Sequence, residues 1–382
     1  MIVQMKILHY GSINVAHGGT TASTYNSIAG VEKLGHSCGL ISMPLPPGGR
    51  NLAEDITIHY SPEPLSRRFG YVKNMQKFLA GLPEADIYHI QGLWQLAGHD
   101  LCRFAANSGK PYIIALRGML YPQAYYKHSF LKKFAAMLLY QRKDLQLANC
   151  IQATSSAELK YYRDLGFTNP VAIIPNGLEL PEILPEPPCR GEIFEIGYLG
   201  RLHPIKYVER VIYALASPRM NDLKCRLHII GSGDDNYEKF LRNETARLGL
   251  KNVIFEGFLT GDAKIEAVKK LSVLTIPSAS ENFGNVIAEA LAYGVPVIAS
   301  TGTPWQDLET YNCGWWVENS VETLTETLLE AQKLSPEKLA AMGNNGQKLL
   351  QEKYTLEKTS KMLEQLYLWL LGKIEKPDFV AY

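Results

Sequence analysis

Short apolar runs alternate with segments whose apolar positions recur every three or four residues, from one end of the 382-residue chain to the other. The runs at 6–10, 37–43, 87–90, 112–116, 150–153 and 171–174 are too short and too uniformly apolar for surface helices, so they predict strands covered on both faces. The segment 20–34 between the first two predicts a helix. After residue 190 the alternation restarts, with strands expected at 194–199, 226–230, 253–255, 271–276 and 296–300, helices from about 207 and 236 between them, and helices filling the remainder to about 371. Strand–helix–strand alternation of this kind implies parallel, doubly wound α/β sheets.

A chain of this length exceeds one ordinary core. Pro181-Glu182-Ile183-Leu184-Pro185-Glu186-Pro187-Pro188 puts four prolines in eight residues, which excludes a helix interior or a central strand. The division expected is an amino-terminal domain over 1–180, a linker over 181–190, a second domain over 191–354 and a closing helical segment over 355–382.

The most informative stretch runs from Ser280 to Ile298. Glu281 and Glu289 stand on either side of a loop-to-helix turn with seven residues between them. Gly284 frees the turn, Val286, Ile287, Ala290 and Leu291 give the helix 285–293 an apolar face, and Gly294 and Pro296 stop it. The amides of Phe283, Gly284, Asn285 and Val286 then fall at a helix N-terminus, which suits a phosphate or a polyol. Upstream, Gly200-Arg201-Leu202-His203-Pro204-Ile205-Lys206 follows the first strand of the second domain, at the carboxyl end of a sheet where such folds bind ligands. A guanidinium fork and an ammonium together suit a diphosphate. No Asp-x-Asp triplet occurs that would hold a metal on one.

In the amino-terminal half, His17-Gly18-Gly19-Thr20 opens the first helix and Gly35-His36 ends it. Asp86 to Trp94 and Ala115 to Met119 end two strands, which makes His89 and Arg117 candidates. Two familiar patterns fail. Gly231-Ser232-Gly233 lacks the third glycine of a dinucleotide fingerprint, since that position is Asn236, and Gly35-His36-Ser37-Cys38-Gly39 lies between a helix and a strand, the wrong order for a nucleophile elbow.

The Glu281–Glu289 string resembles the signature of the retaining glycosyltransferases of family 4, the group 1 glycosyl transferases. That resemblance implies the GT-B architecture: two Rossmann-like domains facing a central cleft, with the last helix crossing back onto the first domain. It further implies that Glu281 and the turn Phe283, Gly284, Asn285 and Val286 meet the donor sugar and phosphate. Glu289 would hold the ribose, Arg201 and Lys206 would neutralise the leaving nucleoside diphosphate, and Gly19 would lie beside the donor phosphate. Phe258 is placed with the same donor-binding set. Many members carry His-Gly or His-Asp where this chain has Arg117-Gly118, which weakens a His-based role there. His89 is expected to orient donor or acceptor, and Arg117 to stabilise the leaving phosphate.

The activity expected is transfer of a hexose, glucose as the best guess, from a UDP-sugar to a glycan or lipid-linked saccharide in polysaccharide or cell-envelope synthesis. No metal or other cofactor is expected. A nucleotide-sugar epimerase or phosphorylase of the same architecture, or a non-catalytic nucleotide-sugar binder, stays open. Composition adds three points. The opening residues lack a signal-peptide pattern and no apolar run is long enough to span a bilayer, so a cytoplasmic location is expected. Six scattered cysteines show neither metal spacing nor a disulfide framework. The net charge of +1 hides an asymmetry: residues 1–180 carry +6 and the rest −5. Much of the excess lies in 125–143, where Phe130, Phe134, Met137, Leu138 and Tyr140 recur at helical spacing. That segment reads either as a basic amphipathic helix resting on the inner face of the cytoplasmic membrane or as a core helix with a solvated basic face. Nothing in the charge pattern points to nucleic acid.

Overall fold

The structure, a computed structural model, describes residues 4–15, 18–126, 129–188, 191–221 and 223–382. The chain divides into two compact units, one formed by Met1–Glu179 with Leu356–Tyr382 and the other by Leu180–Thr355.

The first unit begins with β1 (Lys6–Tyr10), β2 (Ser37–Ser42), β3 (Ile58–Tyr60), β4 (Ile87–Gln91), β5 (Tyr112–Ala115), β6 (Cys150–Ala153) and β7 (Val171–Ile173). They lie parallel in the order β3-β2-β1-β4-β5-β6-β7. Successive strands therefore run outward from β1 in one direction and from β4 in the other, and the order reverses where β1 meets β4. Both faces of this sheet are covered. Leu8, Tyr10, Tyr88 and Ile90 enter the core shared with the helix Leu96–Asn107, while Ile7 and Ile87 enter the opposite core with Ile28, Leu363 and Leu366.

The second unit repeats the plan with β8 (Phe194–Leu199), β9 (Cys225–Ile230), β10 (Val253–Gly257), β11 (Val273–Ile276), β12 (Val297–Ser300) and β13 (Gly314–Val317). The order is β10-β9-β8-β11-β12-β13, again parallel, with its reversal between β8 and β11. The chain then returns to the first unit. The helix Leu356–Leu370 packs on the helix Gly19–Glu32, and β14 (Val380–Ala381) adds antiparallel to β7.

The central strands fall where the apolar runs lie. Of the four edge strands, β10 falls on an expected run, whereas β3 and β14 are only three and two residues long and β13, Gly-Trp-Trp-Val, is a short apolar run outside the expected strands. The expectation of helices alone after residue 300 is corrected by β13. The proline run packs on the second unit, where Gln347 Nε2 donates to Pro185 O at 2.7 Å and Pro187 lies against Gly294. Lys127 and His128 of the basic segment lie outside the described residues. The rest is a short helix at Pro122–Tyr125 and a helical stretch over 130–147 that includes one π-helical turn, Met137–Gln141. Cys38, Cys102, Cys150, Cys225 and Cys313 are buried free thiols, as the scattered spacing implied, and Cys189 lies outside the described residues. Among the described residues no helix is long and apolar enough to cross a membrane.

Candidate functional site

In a doubly wound sheet the loops leaving the two strands at the reversal point diverge to opposite faces and leave a crevice between them. In the second unit the loop leaving β8 is Gly200–Lys206 and the loop leaving β11 is Pro277–Glu281. They meet in an ion pair. Lys206 Nζ lies 2.5 Å from Glu281 Oε1, with the two side chains 17% and 14% exposed, and Ser278 Oγ donates to the same carboxylate oxygen at 2.7 Å. Main-chain bonds set the register, Ala279 N donating to Ile205 O and Glu281 N to Gly302 O. His203 caps the single 3-10 turn Pro204–Lys206 by accepting from Ile205 N at 3.3 Å, which fixes the direction in which Lys206 leaves the loop.

Arg201 is exposed on the same loop. Beneath it the buried Tyr198 donates to Arg201 O at 3.0 Å. Burial pushes the Tyr198 phenol well up, and the neighbouring Glu281 charge adds to that shift. The loop rests on Gly231-Ser232-Gly233, where Leu202 N donates to Ser232 O and Asp234 N to Leu202 O. A Cβ at Gly231 would sit 1.9 Å from Gly200 O at a φ of +145°, so this position excludes any side chain. The glycine pair that fails as a dinucleotide fingerprint is thus the floor under Arg201. Gly231 N donates to Gly257 O at the end of β10, and Phe258 follows there, 73% exposed.

Gly284, at φ +83°, turns the chain into the helix Asn285–Ala292. Phe283 is buried against Trp305 and Tyr354, ring centroids 5.1 and 5.5 Å away, and its carbonyl accepts from Trp305 Nε1. The backbone amides of the turn are thereby held on a rigid aromatic base. Asn285 and Val286 are half-buried in the first turn of the helix. Glu289, one to two turns on, pairs with Lys264 Nζ at 3.0 Å. The ion pair to Glu281 brings together two residues singled out in the sequence. Ser278, Lys264, Trp305 and Tyr354 were not singled out. Only Ser278, three residues before Glu281, was close enough in sequence to have been noticed.

The first unit carries a cavity of about 330 Å³ at its own reversal point. Its walls come from the ends of β1, β2, β4 and β5: Tyr10 and Ser12, Ser42 to Pro46, Gln91 to Gln95, and Arg117 with Met119. Thr20 and Thr24, on the helix that Gly19 begins, complete the rim. His17 lies outside the described residues. Arg117, a buried cation at φ +52°, donates through Nε to Gln91 Oε1 at 3.0 Å and through Nη1 to Asn176 Oδ1 at 2.9 Å. Burial pulls its pKa down to about 10, against the pull of the Glu158 charge. Glu158, itself pushed up by burial, accepts from Thr154 N and Oγ1 and from Gly118 N.

His89 does not face this cavity, which corrects the expectation that it meets a ligand. On β4 it shares a face with Ile87, so it points into the core beneath the carboxy-terminal helix. There His89 Nδ1 lies 2.8 Å from Tyr367 Oη and the ring stands 5.1 Å from that of His9. Burial depresses both imidazoles, His9 to about 3 and His89 well below its ordinary value. The Nδ1 of His9 accepts from Gln91 Nε2 at 3.2 Å. Among the described residues no group of three or more His, Cys, Asp or Glu side chains converges as metal ligands would.

Known proteins resemble both units. Residues 182–349 match the family described as glycosyl transferases group 1, and residues 17–181 match glycosyltransferase family 4. A GDP-mannose-dependent alpha-mannosyltransferase of Mycolicibacterium smegmatis is 35% identical over 113 residues, 30% of this chain and 27% of that protein. A D-inositol 3-phosphate glycosyltransferase of Streptomyces bingchenggensis is 36% identical over 112 residues, 27% of this chain and 24% of its own length. The matched stretches thus span between about a quarter and a half of the length of the curated relatives. The Anabaena protein HepE, solved with UDP and glucose, superposes at a TM-score of 0.73 with 18% identity, covering 97% of this chain and 100% of that one. At that identity the likeness shows the fold, the two parallel-sheet Rossmann-like domains of the GT-B type.

Proposed function

This chain belongs to the group 1 and family 4 glycosyltransferases, and from that premise we propose that it is a retaining, metal-independent hexosyltransferase using a UDP-sugar, glucose in the first instance. The observation that carries the proposal is the Lys206–Glu281 pair at the reversal of the second sheet, beside the Gly284 turn. In this reading Lys206 and Arg201 take the diphosphate, and Glu281 with the amides of Phe283 to Val286 takes the hexose. Glu289 takes the ribose hydroxyls. Phe258 completes the donor contacts of the second unit. The glycan or lipid-linked acceptor enters from the first unit, whose cavity carries Gln91 and Arg117.

Among the described residues no side chain stands as an obvious nucleophile, so in this reading the acceptor hydroxyl attacks the anomeric carbon on the face the diphosphate leaves. The C–O bond to phosphate breaks as the new glycosidic bond forms, and the acceptor proton passes to the departing phosphate oxygen. Arg201 and Lys206 absorb the charge that develops. At an effective dielectric of about 20, a cation about 4 Å from that charge contributes up to about 4 kcal/mol, near a thousandfold in rate. The contrasts between UDP-glucose in HepE and GDP-mannose in the mycobacterial relative make the donor base the first thing to test. Thermal-shift titration with a panel of nucleotide sugars should give its largest stabilisation with UDP-glucose. Proton NMR of the product should show the donor's anomeric configuration, in chelator as well as in buffer. An inverted product, or a requirement for added metal, overturns the mechanism.

A further inference from the structure

The helical stretch 130–147 turns one face inward, where Met137, Gln141, Asp144 and Leu145 are buried and Gln141 and Asp144 line the first unit's cavity. The composition of its other face is unusual for a surface in water. Leu131, Leu138 and Leu139 are 79%, 68% and 81% exposed, and Phe134 and Leu147 are exposed with them. Single exposed leucines are ordinary, but a stripe of five large apolar side chains along one helix is not. The residues between them are equally selective. Lys132, Arg142 and Lys143 are exposed on that face and no carboxylate is, in a half of the chain that carries +6.

Exposed leucines interspersed with cations, and no acids, match a surface with an apolar interior and anionic headgroups. We propose that this face docks the first unit on a bilayer containing anionic lipid, with Leu131, Leu138 and Leu139 entering the headgroup boundary and Lys132, Arg142 and Lys143 meeting lipid phosphates. A second copy fits less well, since a two-fold contact through the stripe would set the three cations against their own counterparts. Because the inner face of the same helix walls the cavity, docking would hold that cavity about one helix diameter, ~10 Å, from the lipid. An acceptor carried on a lipid would then reach it without leaving the bilayer.

The test is co-sedimentation of the full chain with phosphatidylcholine vesicles, with and without about 30% phosphatidylglycerol. Expected is partitioning onto the anionic vesicles that is at least about tenfold stronger than onto the neutral ones, weakening as salt is raised. Leu138→Glu with Leu139→Glu should lower it by about tenfold or more with an unchanged melting temperature, since both side chains already lie in solvent. Lys132→Glu with Lys143→Glu supplies a second variant, which should remove the salt dependence. Equal binding to both vesicle types, or binding indifferent to both double variants, overturns the proposal. So does a dimer in light scattering that the leucine variant splits, which assigns the face to a second copy. Vesicle binding is read without turnover, so its failure leaves the donor assignment standing, and the reverse holds.

Discussion

The two units share one sheet order and reverse it at the equivalent place, yet they fill the reversal differently. In the second unit Lys206 and Glu281 meet there as a partly hydrated ion pair, with Arg201 exposed beside them. In the first unit the same position, between β1 and β4, holds His9 and His89 buried and neutral, with the cationic Arg117 tied to Gln91 and Asn176. The topology therefore opens a crevice in both and leaves its chemistry to side chains. Paired charges at one reversal, with Arg201 exposed beside them, suit a ligand that brings and develops charge. At the other reversal the two imidazoles lie outside the cavity lining, and the wall offers Ser12, Ser42, Gln95 and an Arg117 already tied to Gln91 and Asn176, which suit a ligand rich in hydroxyls.

The sharpest way to break this comparison is to neutralise the charged reversal. Lys206→Ala and Glu281→Ala should each lower kcat for sugar transfer by about 10²–10³-fold. Each should also lower the melting temperature, because the two side chains are only 17% and 14% exposed and removing one leaves the other's charge poorly solvated. Turnover is therefore compared well below the lower midpoint. Transfer within a few fold of the parent would remove the charged reversal from the mechanism.

Acid should act on the other reversal. The folded-state pKa of His9 lies near 3 against an ordinary 6.5, so the unfolded chain binds more protons between those values and stability falls as pH drops below about 6.5. Each imidazole held neutral in this way costs up to about 1.4 kcal/mol of stability per pH unit through that window, and His89 shifts in the same direction. Denaturant titrations over this range should show the slope, and His9→Gln should reduce it. A slope unchanged by His9→Gln would mean that other groups govern the acid response.

The smallest effect tests the ribose end. Lys264→Ala leaves Glu289 without its partner at 3.0 Å, and donor affinity measured by calorimetry should change by no more than about 1 kcal/mol, since the pair is about a third exposed. A loss of hundredfold or more would make Lys264 a direct ligand contact.

Much of this was legible in the sequence. Strands buried on both faces reveal themselves as apolar runs, so β1, β2, β4 to β9, β11 and β12 could be located, along with Arg201, Lys206 and the Glu281 turn, but not the strand order that sets the two reversals. What stayed hidden depends on partners distant in sequence. Lys264 reaches Glu289 from 25 residues away, and Trp305 reaches the Phe283 carbonyl from 22. His89 looked like a ligand-facing strand end because alternation along β4 gives two faces and says nothing of what covers each. The covering helix, with Tyr367, lies 278 residues on. Segment 130–147 posed the same problem: periodicity showed a helix but not that Phe134 and Leu138 face outward while Gln141 and Asp144 face inward.

That carboxy-terminal helix also sets an order of events during synthesis. The second unit is one continuous segment, Leu180–Thr355, and has every strand of its sheet once Val317 has left the ribosome. The first unit begins earlier and finishes later. Until Leu356–Leu370 and Val380 emerge, the core around Ile28, Ile87 and His89 lacks Leu363, Leu366 and Tyr367, and β7 lacks its antiparallel neighbour. The domain made second is thus the first able to fold completely, and the nascent first domain must keep one apolar face of its sheet open for nearly the whole of translation.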